Sequence, residues 1–445
     1  MDEKIIGQEP AEEMPEAYAA VTAGVEAEPA DVETEPADIE AEPAGQNAAA
    51  DAERIDAARP ETVRDEAEEP EAEDEPPKKR TIKDRIKSIP VVSRVFFCIF
   101  FAALAIHLVS FASEGFADFF NLNVSSFFRM ALSKLTGWLP FSLAETAVIA
   151  LPAVLVVIFI YFFAVAMKKD RAGRFVIVML SMVTMLYSVF VITFGVGYQN
   201  SSLDKKLGLE RKPVSAQELY DTAIIVGNEV TELIDKVDFP KEGGSSIMPY
   251  DLGEMNDKLN DAYVPVAEKY GIVPRLRSRL KYIALSGPMT YTHISGVFCY
   301  YTGEANINLN FPDYTIPYTA AHEMAHQRGI APEDEANFVA FLACVESDDP
   351  YIRYCGYQNM LEYLMNALYS ADRDLYSKLC AEIHPDSMME MRAYNAFFEP
   401  YRSSAASAVS SAVNDTYLKV LGESEGEKSY GLVVDLAVAY YRGAE

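Results

Sequence analysis

Cysteine, basic residues and nucleotide-binding glycine motifs are scarce or missing in this sequence. The 445 residues include five cysteines, none in a CxxC pair, which excludes a disulfide-dense scaffold and a cysteine-rich zinc module. No P-loop and no dinucleotide fingerprint occurs, so we expect no nucleotide. The 38 Lys and Arg are outnumbered by 67 Asp and Glu. Because nucleic-acid phosphates bind to basic surfaces, this deficit argues against a nucleic-acid partner.

The acidic residues concentrate in residues 1–77, where aromatic residues are almost absent. This stretch holds 26 Asp and Glu against 4 Lys and Arg, and so carries most of the formal net charge of −29. With so little apolar area to bury, it cannot offset the entropy of ordering. We predict a disordered, solvated spacer, with an interaction tail for basic partners as the alternative. No early apolar core marks a secretory signal.

Three long apolar runs lie near residues 91–113, 144–167 and 175–198. Spanning a bilayer takes about 20 apolar residues, and each run is long enough. Buried helices of soluble proteins rarely reach this length without a charge. The sequence therefore predicts a three-span transmembrane region within residues 78–198, with the membrane lipid bilayer as a partner.

The distribution of Lys and Arg predicts how the spans are oriented. Seven basic residues lie between Lys78 and Arg94, and four more lie in the link 168–174. The loop between the first and second spans holds only Arg129 and Lys134. Because basic residues favour the cytoplasmic side, we expect a cytoplasmic N-terminal tail in a multi-pass protein of the cell membrane. Residues 199–445 would then form an extracytoplasmic domain, although basic residues at 205–212 run against this orientation.

The loop between the first two spans is rich in phenylalanine and holds the single tryptophan, Trp138. A water-exposed loop has no need of so many large apolar side chains. An amphipathic helix lying on the outer leaflet would bury them in lipid. We therefore predict an interfacial helix here.

The middle of the C-terminal region predicts a strand followed by two helices. Residues 305–311, ANINLNF, alternate apolar residues with asparagine, the pattern of a half-buried strand. The next segment, TAAHEMAHQRG, predicts a helix with Pro317 near its first turn and Gly329 as its stop. A second helix is expected to start at Pro332.

The first of these helices contains His322-Glu323-Met324-Ala325-His326. Residues four apart lie within about 40° on one helix face, so both imidazoles can bind one Zn²⁺. Glu323 lies beside them, placed to act as the general base of a metalloprotease. A zinc-bound water would attack a carbonyl, and Glu323 would pass the proton to the leaving amine. The alternative is an ordinary helix whose histidines pack or face solvent.

A third metal ligand is needed, and the candidates are Glu333, Asp334 and Glu335. Glu333 and Glu335 differ by about 200° around the helix, so only one of them can face the metal. Glu333 shares its face with Ala336 and Ala340, small residues that would let the two helices approach closely. This favours Glu333 over Glu335.

A peptidase also needs a donor that stabilises the oxyanion, often Tyr, His or Arg. Tyr430, Tyr300, Tyr301 and His293 are candidates. Since the chain contains 26 tyrosines, a structural role remains the alternative for each of them.

HEMAH followed by EDEAN resembles the gluzincin metallopeptidases, in which a Glu-x-x-Ala-Asp/Asn element on the next helix supplies the third ligand. Glu333, Ala336 and Asn337 match that element, and the gap between His326 and Glu333 is shorter than in better-known gluzincins. The chain is also similar, over about residues 90–445, to an uncharacterised family of bacterial multi-pass membrane proteins. These resemblances imply an α+β fold: three transmembrane helices, then a mostly helical zincin-like domain with a small sheet.

Three classes of function follow from these motifs. The first is a membrane-anchored zinc metallopeptidase with metal ligands His322, His326 and Glu333, Glu323 as its base, and a protein or peptide substrate. ANINLNF would be the edge strand to which the extended substrate adds. The alternative is a non-catalytic sensor or scaffold that binds zinc for folding, but structural zinc sites usually have four protein ligands. A transporter is disfavoured because the spans hold almost no charge.

Overall fold

Helices make up most of the described chain. The structure is a computed structural model that describes residues 88–167, 171–240, 243–402, 404–421 and 432–443. The predicted acidic tail 1–77 and the basic residues from Lys78 to Lys87 lie outside the described residues. The helices, in chain order, are α1 (Val91–Ala112), α2 (Glu114–Phe120), α3 (Ser126–Gly137), α4 (Leu143–Tyr161), α5 (Ala172–Thr193), α6 (Leu203–Leu207), α7 (Ala216–Ile234), α8 (Leu252–Pro265), α9 (Ser286–Thr290), α10 (Thr315–Arg328), α11 (Glu333–Val345), α12 (Pro350–Ala371), α13 (Arg373–Glu382), α14 (Pro385–Phe398), α15 (Ala405–Leu421) and α16 (Val433–Arg442).

Helices α1, α4 and α5 are long and apolar enough to cross a membrane, and α4 continues as a π-helical turn to Ala166. They agree with the three predicted runs in number. The third helix ends earlier than predicted, at Thr193 instead of residue 198. A 3₁₀ turn, Gly195–Gln199, follows it. Because the apolar residues continue through this turn, the sequence pattern did not mark the end of the helix.

Helices α1 and α5 pack side by side through small and polar residues. The hydroxyl of Ser181 donates to the Oγ of Ser93 at 3.0 Å. Nearer the C-terminal ends of both helices, His107 Nδ1 and the hydroxyl of Tyr187 are 2.7 Å apart. Small residues let helix backbones approach closely, and hydrogen bonds between them are favourable in lipid.

Helix α4 has no buried residue and is held at its two ends. At its start, the carboxylate of Glu304 accepts hydrogen bonds from the backbone N–H groups of Leu143 and Ala144 at 3.1 and 2.9 Å. A carboxylate at a helix N-terminus also compensates the helix dipole. At its far end, the ring of Phe162 lies 5.0 Å from that of Phe175 on α5.

The loop between α1 and α4 is almost entirely helical, and its polar side faces the protein. Arg129, Ser133 and Thr136 are buried, whereas the large apolar side chains point outward. The exposed apolar residues are Phe119, Leu122, Phe127, Phe128, Leu135, Trp138 and Phe141. This orientation is the one that a lipid surface requires. The helix is therefore present as predicted, and its place on the outer leaflet stays a prediction.

Arg129 on α3 connects this loop to two other helices. Its Nη1 donates to the carbonyl of Thr193 at 2.7 Å, and its Nη2 donates to the carbonyl of Arg328 at 3.4 Å. Thr193 and Arg328 are the last residues of α5 and α10. Each helix C-terminus carries about half a negative charge, so the buried guanidinium is compensated by two helix dipoles. Asn121 completes this contact by donating to the carbonyl of Gly329 at 2.8 Å.

A small sheet lies next to α10. Its three strands are β1 (Lys281–Tyr282), β2 (Gly296–Cys299) and β3 (Glu304–Ile307), in the order β1-β3-β2. Strand β1 is parallel to β3, and β2 is antiparallel to it. Strand β2 is therefore an edge strand, and β3 is the central strand.

The prediction of a half-buried edge strand at 305–311 was wrong. The strand spans only residues 304–307, and all four of these residues are buried. The asparagines are buried because they bond to the protein. The Nδ2 of Asn306 donates to the carbonyl of Val297 at 3.0 Å, and the Nδ2 of Asn308 donates to the carbonyl of Ile294 at 3.1 Å. The sequence alone does not distinguish a buried polar side chain that is hydrogen-bonded within the protein from one that faces water.

Two hydrophobic cores hold the fold together. The larger one surrounds α10, α11 and α12, and includes Phe338, Phe341 and Leu361. The smaller one joins α1 and α5 to strand β2 through Phe190, Phe194 and Phe298. It crosses the predicted boundary between residues 198 and 199, and the described residues from 89 to 443 belong to one compact unit.

Replacing Arg129 with Met should lower the stability of the chain by about 3 kcal/mol, because the buried carbonyls at the ends of α5 and α10 lose their donor. The thermal unfolding midpoint of the detergent-solubilised full chain measures this loss. Arg275 is the matched control, since its ion pair with Glu268 is exposed and contributes less than about 1 kcal/mol. Equal melting of Arg129→Met and Arg275→Met would contradict the role given to Arg129.

Candidate functional site

Helix α10 carries both histidines and is buried along nearly its whole length. Pro317 fits the first turn of the helix, where its missing N–H is not needed. The helix ends at Gly329, whose φ of 105° is readily adopted only by glycine. A Cβ at Gly329 would also lie 2.2 Å from the Nη2 of Arg129. The predicted start and stop of this helix are confirmed.

Helix α11 begins after a short turn and packs against α10. Pro332 precedes its first residue, Glu333, as predicted. Ala336 and Ala340 are fully buried, and their small side chains allow the two helices to lie close together. The turn reverses the chain, so the start of α11 lies beside the histidine face of α10.

The structure brings His322, His326 and Glu333 together. Their ligand atoms all lie within 4.8 Å of one another. The Oε2 of Glu333 is 3.2 Å from the Nε2 of His322 and 3.3 Å from the Nε2 of His326. Two imidazole nitrogens and one carboxylate oxygen in this arrangement could hold a divalent cation.

The orientation of His326 is fixed by its second ring nitrogen. Nδ1 of His326 lies 2.7 Å from the carbonyl of Ile330. A carbonyl only accepts hydrogen bonds, so Nδ1 carries a proton, and in the neutral imidazole the lone pair of Nε2 points toward the cluster. The Nδ1 of His322 is buried and has no hydrogen-bond partner among the described residues.

The other two acidic residues at the start of α11 are engaged elsewhere. Glu335 Oε1 accepts a hydrogen bond of 2.7 Å from the backbone N–H of Leu203, at the start of α6. Asp334 pairs with Arg211 at 2.8 Å. The structure thus places Glu333, and not Glu335, beside the histidines.

Glu323 faces strand β2. Its carboxylate accepts a hydrogen bond from the backbone N–H of Phe298. Gly296 on the same strand lies so close that a Cβ there would be 2.7 Å from the Oε1 of Glu323. The Oε2 of Glu323 is buried without a hydrogen-bond partner among the described residues. One oxygen is thereby held in place while the other remains able to accept a proton.

Burial and mutual attraction shift the pKa values of the cluster. Burial raises the pKa of Glu323, against the pull of the two histidines. Burial opposes the charge on His326, but the Glu333 carboxylate outweighs it and raises the pKa of His326 to about 9. Burial likewise opposes the charge on Glu333, but the histidines hold the pKa of Glu333 well below its usual range. Without a metal, His326 and Glu333 therefore form an ion pair at neutral pH.

The cluster opens into a cavity of about 500 Å³. Its wall includes most of β2, residues of α12 and α15, and two residues just beyond the third apolar helix, Phe194 and Tyr198. Glu362 is a third carboxylate on the wall, and none of the described lining residues is Lys or Arg. The walls around the cluster are thus aromatic and polar, with a negative balance.

The candidate oxyanion donors differ in their positions relative to the cavity. Tyr300 and His293 line the cavity, and Tyr301 is not among the lining residues. His293 is already engaged, since its Nε2 lies 3.0 Å from the carbonyl of Tyr401. Tyr430 lies outside the described residues.

Sequence reasoning missed several residues of the cavity. Tyr318 lines it and donates to the carbonyl of Asn337 at 2.9 Å. Tyr318 lies four residues before His322, so helix periodicity could have placed it on the same face. Phe194 and Tyr198 belong to the end of a predicted span, and no local signal connects them to a site more than 100 residues away.

The ion pair predicts how the stability of the metal-free chain depends on pH. The pKa of His326 rises from 6.5 to about 9 on folding, so this stabilisation is complete below pH 6.5 and disappears as the pH rises through 9. We expect the chelator-treated chain to lose on the order of 3 kcal/mol relative to its His326→Gln variant over this range. The comparison cancels Glu335, whose pKa burial raises to about 8.

Denaturant unfolding at several pH values measures this difference in stability. A constant gap between the parent chain and His326→Gln from pH 6.5 to 9 would contradict the ion pair.

A family model described as "Protein of unknown function (DUF3810)" matches residues 120–438, well over half of the chain. The match begins at the end of α2 and includes the sheet and the His322–His326–Glu333 cluster. No curated protein and no solved structure matches the chain. The chain therefore belongs to the DUF3810 family of proteins of unknown function.

Proposed function

We propose that this protein is a membrane-anchored zinc metallopeptidase. The observation that carries the proposal is the convergence of His322, His326 and Glu333 with Glu323 directly beside them. Three ligands leave one position open, and a cavity of about 500 Å³ leads to it. Catalytic zinc sites have this combination of three protein ligands and one open position.

The spacing of the ligand atoms fits zinc. Zinc bonds to imidazole nitrogen and carboxylate oxygen are about 2.0–2.1 Å long, so two ligands at tetrahedral angles lie about 3.3 Å apart. The two distances from Glu333 to the histidines are 3.2 and 3.3 Å. The buried Oε2 of Glu333 has no hydrogen-bond partner among the described residues, and a shared cation would satisfy it.

Glu323 would be the general base. A zinc ion held by the three ligands would supply Lewis acidity and bring the pKa of a water molecule close to neutral. Glu323 then takes a proton from the attacking water and gives it to the leaving amine. Its raised pKa suits this role, because a stronger base holds the proton long enough to transfer it.

The gluzincin resemblance supports the same assignment of roles. Glu333 and Asn337 are one helical turn apart on α11, and both line the cavity. The charge distribution around the spans supports an extracytoplasmic site. The substrate would be a protein or peptide segment in an extended conformation, paired along the edge strand β2.

A zinc-binding sensor or scaffold is the second candidate. It would use the same three ligands for folding alone, so it predicts the same metal content. It differs in giving Glu323 no chemical role. The close contact of Glu323 with β2, and an unpartnered buried oxygen beside the metal ligands, favour catalysis.

Metal analysis of the detergent-solubilised full chain tests the ligands. We expect one zinc per chain, lost in Glu333→Gln because the amide is a poor zinc ligand. Glu335→Gln is the matched control: its amide oxygen still accepts the Leu203 N–H, so zinc should be retained. Zinc retained in Glu333→Gln and lost in Glu335→Gln would reverse the assignment.

Replacing Glu323 with Gln tests the base. The variant should keep its zinc, while cleavage of a degenerate peptide library, followed by mass spectrometry, falls about 10²–10⁴-fold. Glu335→Gln should cleave at the parent rate. Unchanged cleavage in Glu323→Gln would remove Glu323 from the mechanism, and no cleavage by the zinc-loaded parent chain would favour the sensor or scaffold.

A further inference from the structure

Strand β2 connects the proposed reaction site to the end of the third apolar helix. We infer that the substrate is a polypeptide anchored in the same membrane, cut within about six residues of the bilayer. This inference rests on the proposed peptidase function and adds the class of substrate to it.

Strand β2 is a free edge of the sheet that faces the cavity. Strand β2 pairs with β3 on one side only. Gly296, Val297 and Phe298 line the cavity on the other side, and Val297 is 44% exposed. Glu323 already accepts the backbone N–H of Phe298, so an extended segment would pair with the remaining backbone groups of β2 beside it, as in other cases of strand addition.

The C-terminal end of β2 lies beside the end of helix α5. Just beyond its end, the ring of Tyr300 lies 5.1 Å from that of Phe190 on α5. Phe190 is in the last turn of this apolar helix. Phe298 itself packs against Phe194 at 5.4 Å. A segment paired along β2 thus runs from the metal cluster directly to the end of a predicted span.

The contacts around β2 limit the distance between the reaction site and the end of α5. The two residues from Phe298 to Tyr300 cover at most about 7 Å, and the ring contact adds 5.1 Å. His326 confirms the short separation, because its ring lies 5.8 Å from that of Phe194. The reaction site is thus within about 20 Å of the end of α5, and an extended chain covers that distance in about six residues.

The surface around the site includes the loop between α1 and α4. The loop between α1 and α4 turns seven large apolar side chains outward, and its helix α3 contacts strand β3. The backbone of Ser133 on α3 would be 2.7 Å from a Cβ at Gly303, beside strand β3. If these apolar side chains lie in the headgroup region, the sheet lies on the bilayer surface. The site is then held close to that surface.

The reaction would divide the substrate into two parts. Hydrolysis breaks one C–N bond; the water oxygen and one hydrogen go to the carbonyl side, and the other hydrogen goes to the amine. One product stays in the membrane as a short stub, and the other is released. No oxidant or further reactant is needed.

The experiment uses the full zinc-loaded chain in liposomes and one degenerate library of roughly twelve residues, about 40 Å when extended. The library is presented in three forms: joined directly to an apolar anchor helix of about 20 residues, joined through a polyproline spacer of about 30 Å, and without an anchor. Mass spectrometry gives the position and rate of each cut, with Glu323→Gln as the background.

We expect the directly anchored library to be cut at least about tenfold faster than the free one, because both partners share one membrane. The cuts should lie within about six residues of the anchor, and the spacer should abolish them. Equal rates for the free and anchored libraries, or cuts that persist beyond the spacer, would overturn the inference and leave the peptidase intact. No cleavage of any form would overturn the proposed function itself.

Discussion

The contact of Arg129 with two helix ends is the constraint on which the rest of the structure depends. A guanidinium that is 1% exposed is tolerated only where its charge is compensated and its donors are used. Here the compensation comes from the carbonyl ends of α5 and α10. One contact therefore fixes the last turn of an apolar span against the last turn of the helix that carries both histidines.

The geometry of the cluster follows from this arrangement. Once the end of α10 is fixed, the left-handed turn at Gly329 and the proline at 332 determine where α11 starts. The fully buried alanines of both helices then set their separation, and Glu333 arrives beside the two imidazoles. Strand β2 closes the other side, where Gly296 leaves just enough room for the carboxylate of Glu323.

Local patterns in the sequence predicted much of this, and long-range contacts explain what they missed. Some signals act within or at the ends of a single helix, so one sequence reveals them. They are the apolar runs, the four-residue spacing of His322 and His326, and the helix-end residues Pro317, Gly329 and Pro332. The position of Glu333 beside the histidines was also predictable, because it depends on the rotation of neighbouring residues around one helix; its role as a metal ligand stays a prediction. Strand β3 was misassigned because the partners of Asn306 and Asn308 are distant backbone carbonyls. For the same reason, nothing near Phe194 or Tyr198 predicted that the end of a span forms part of the cavity wall.

The partners of Arg129 also determine the order in which the molecule is assembled. The carbonyl groups that it binds lie 64 and 199 residues further along the chain. When the loop between α1 and α4 is synthesised, neither helix end exists, and the guanidinium must stay hydrated. The loop can dock only after residue 328 has been made and α10 has folded, by which time all three apolar helices have been synthesised. The His322–His326–Glu333 cluster is therefore among the last parts of the molecule to become complete, and a chain interrupted before α10 would have its three apolar helices but neither the docked loop nor the cluster.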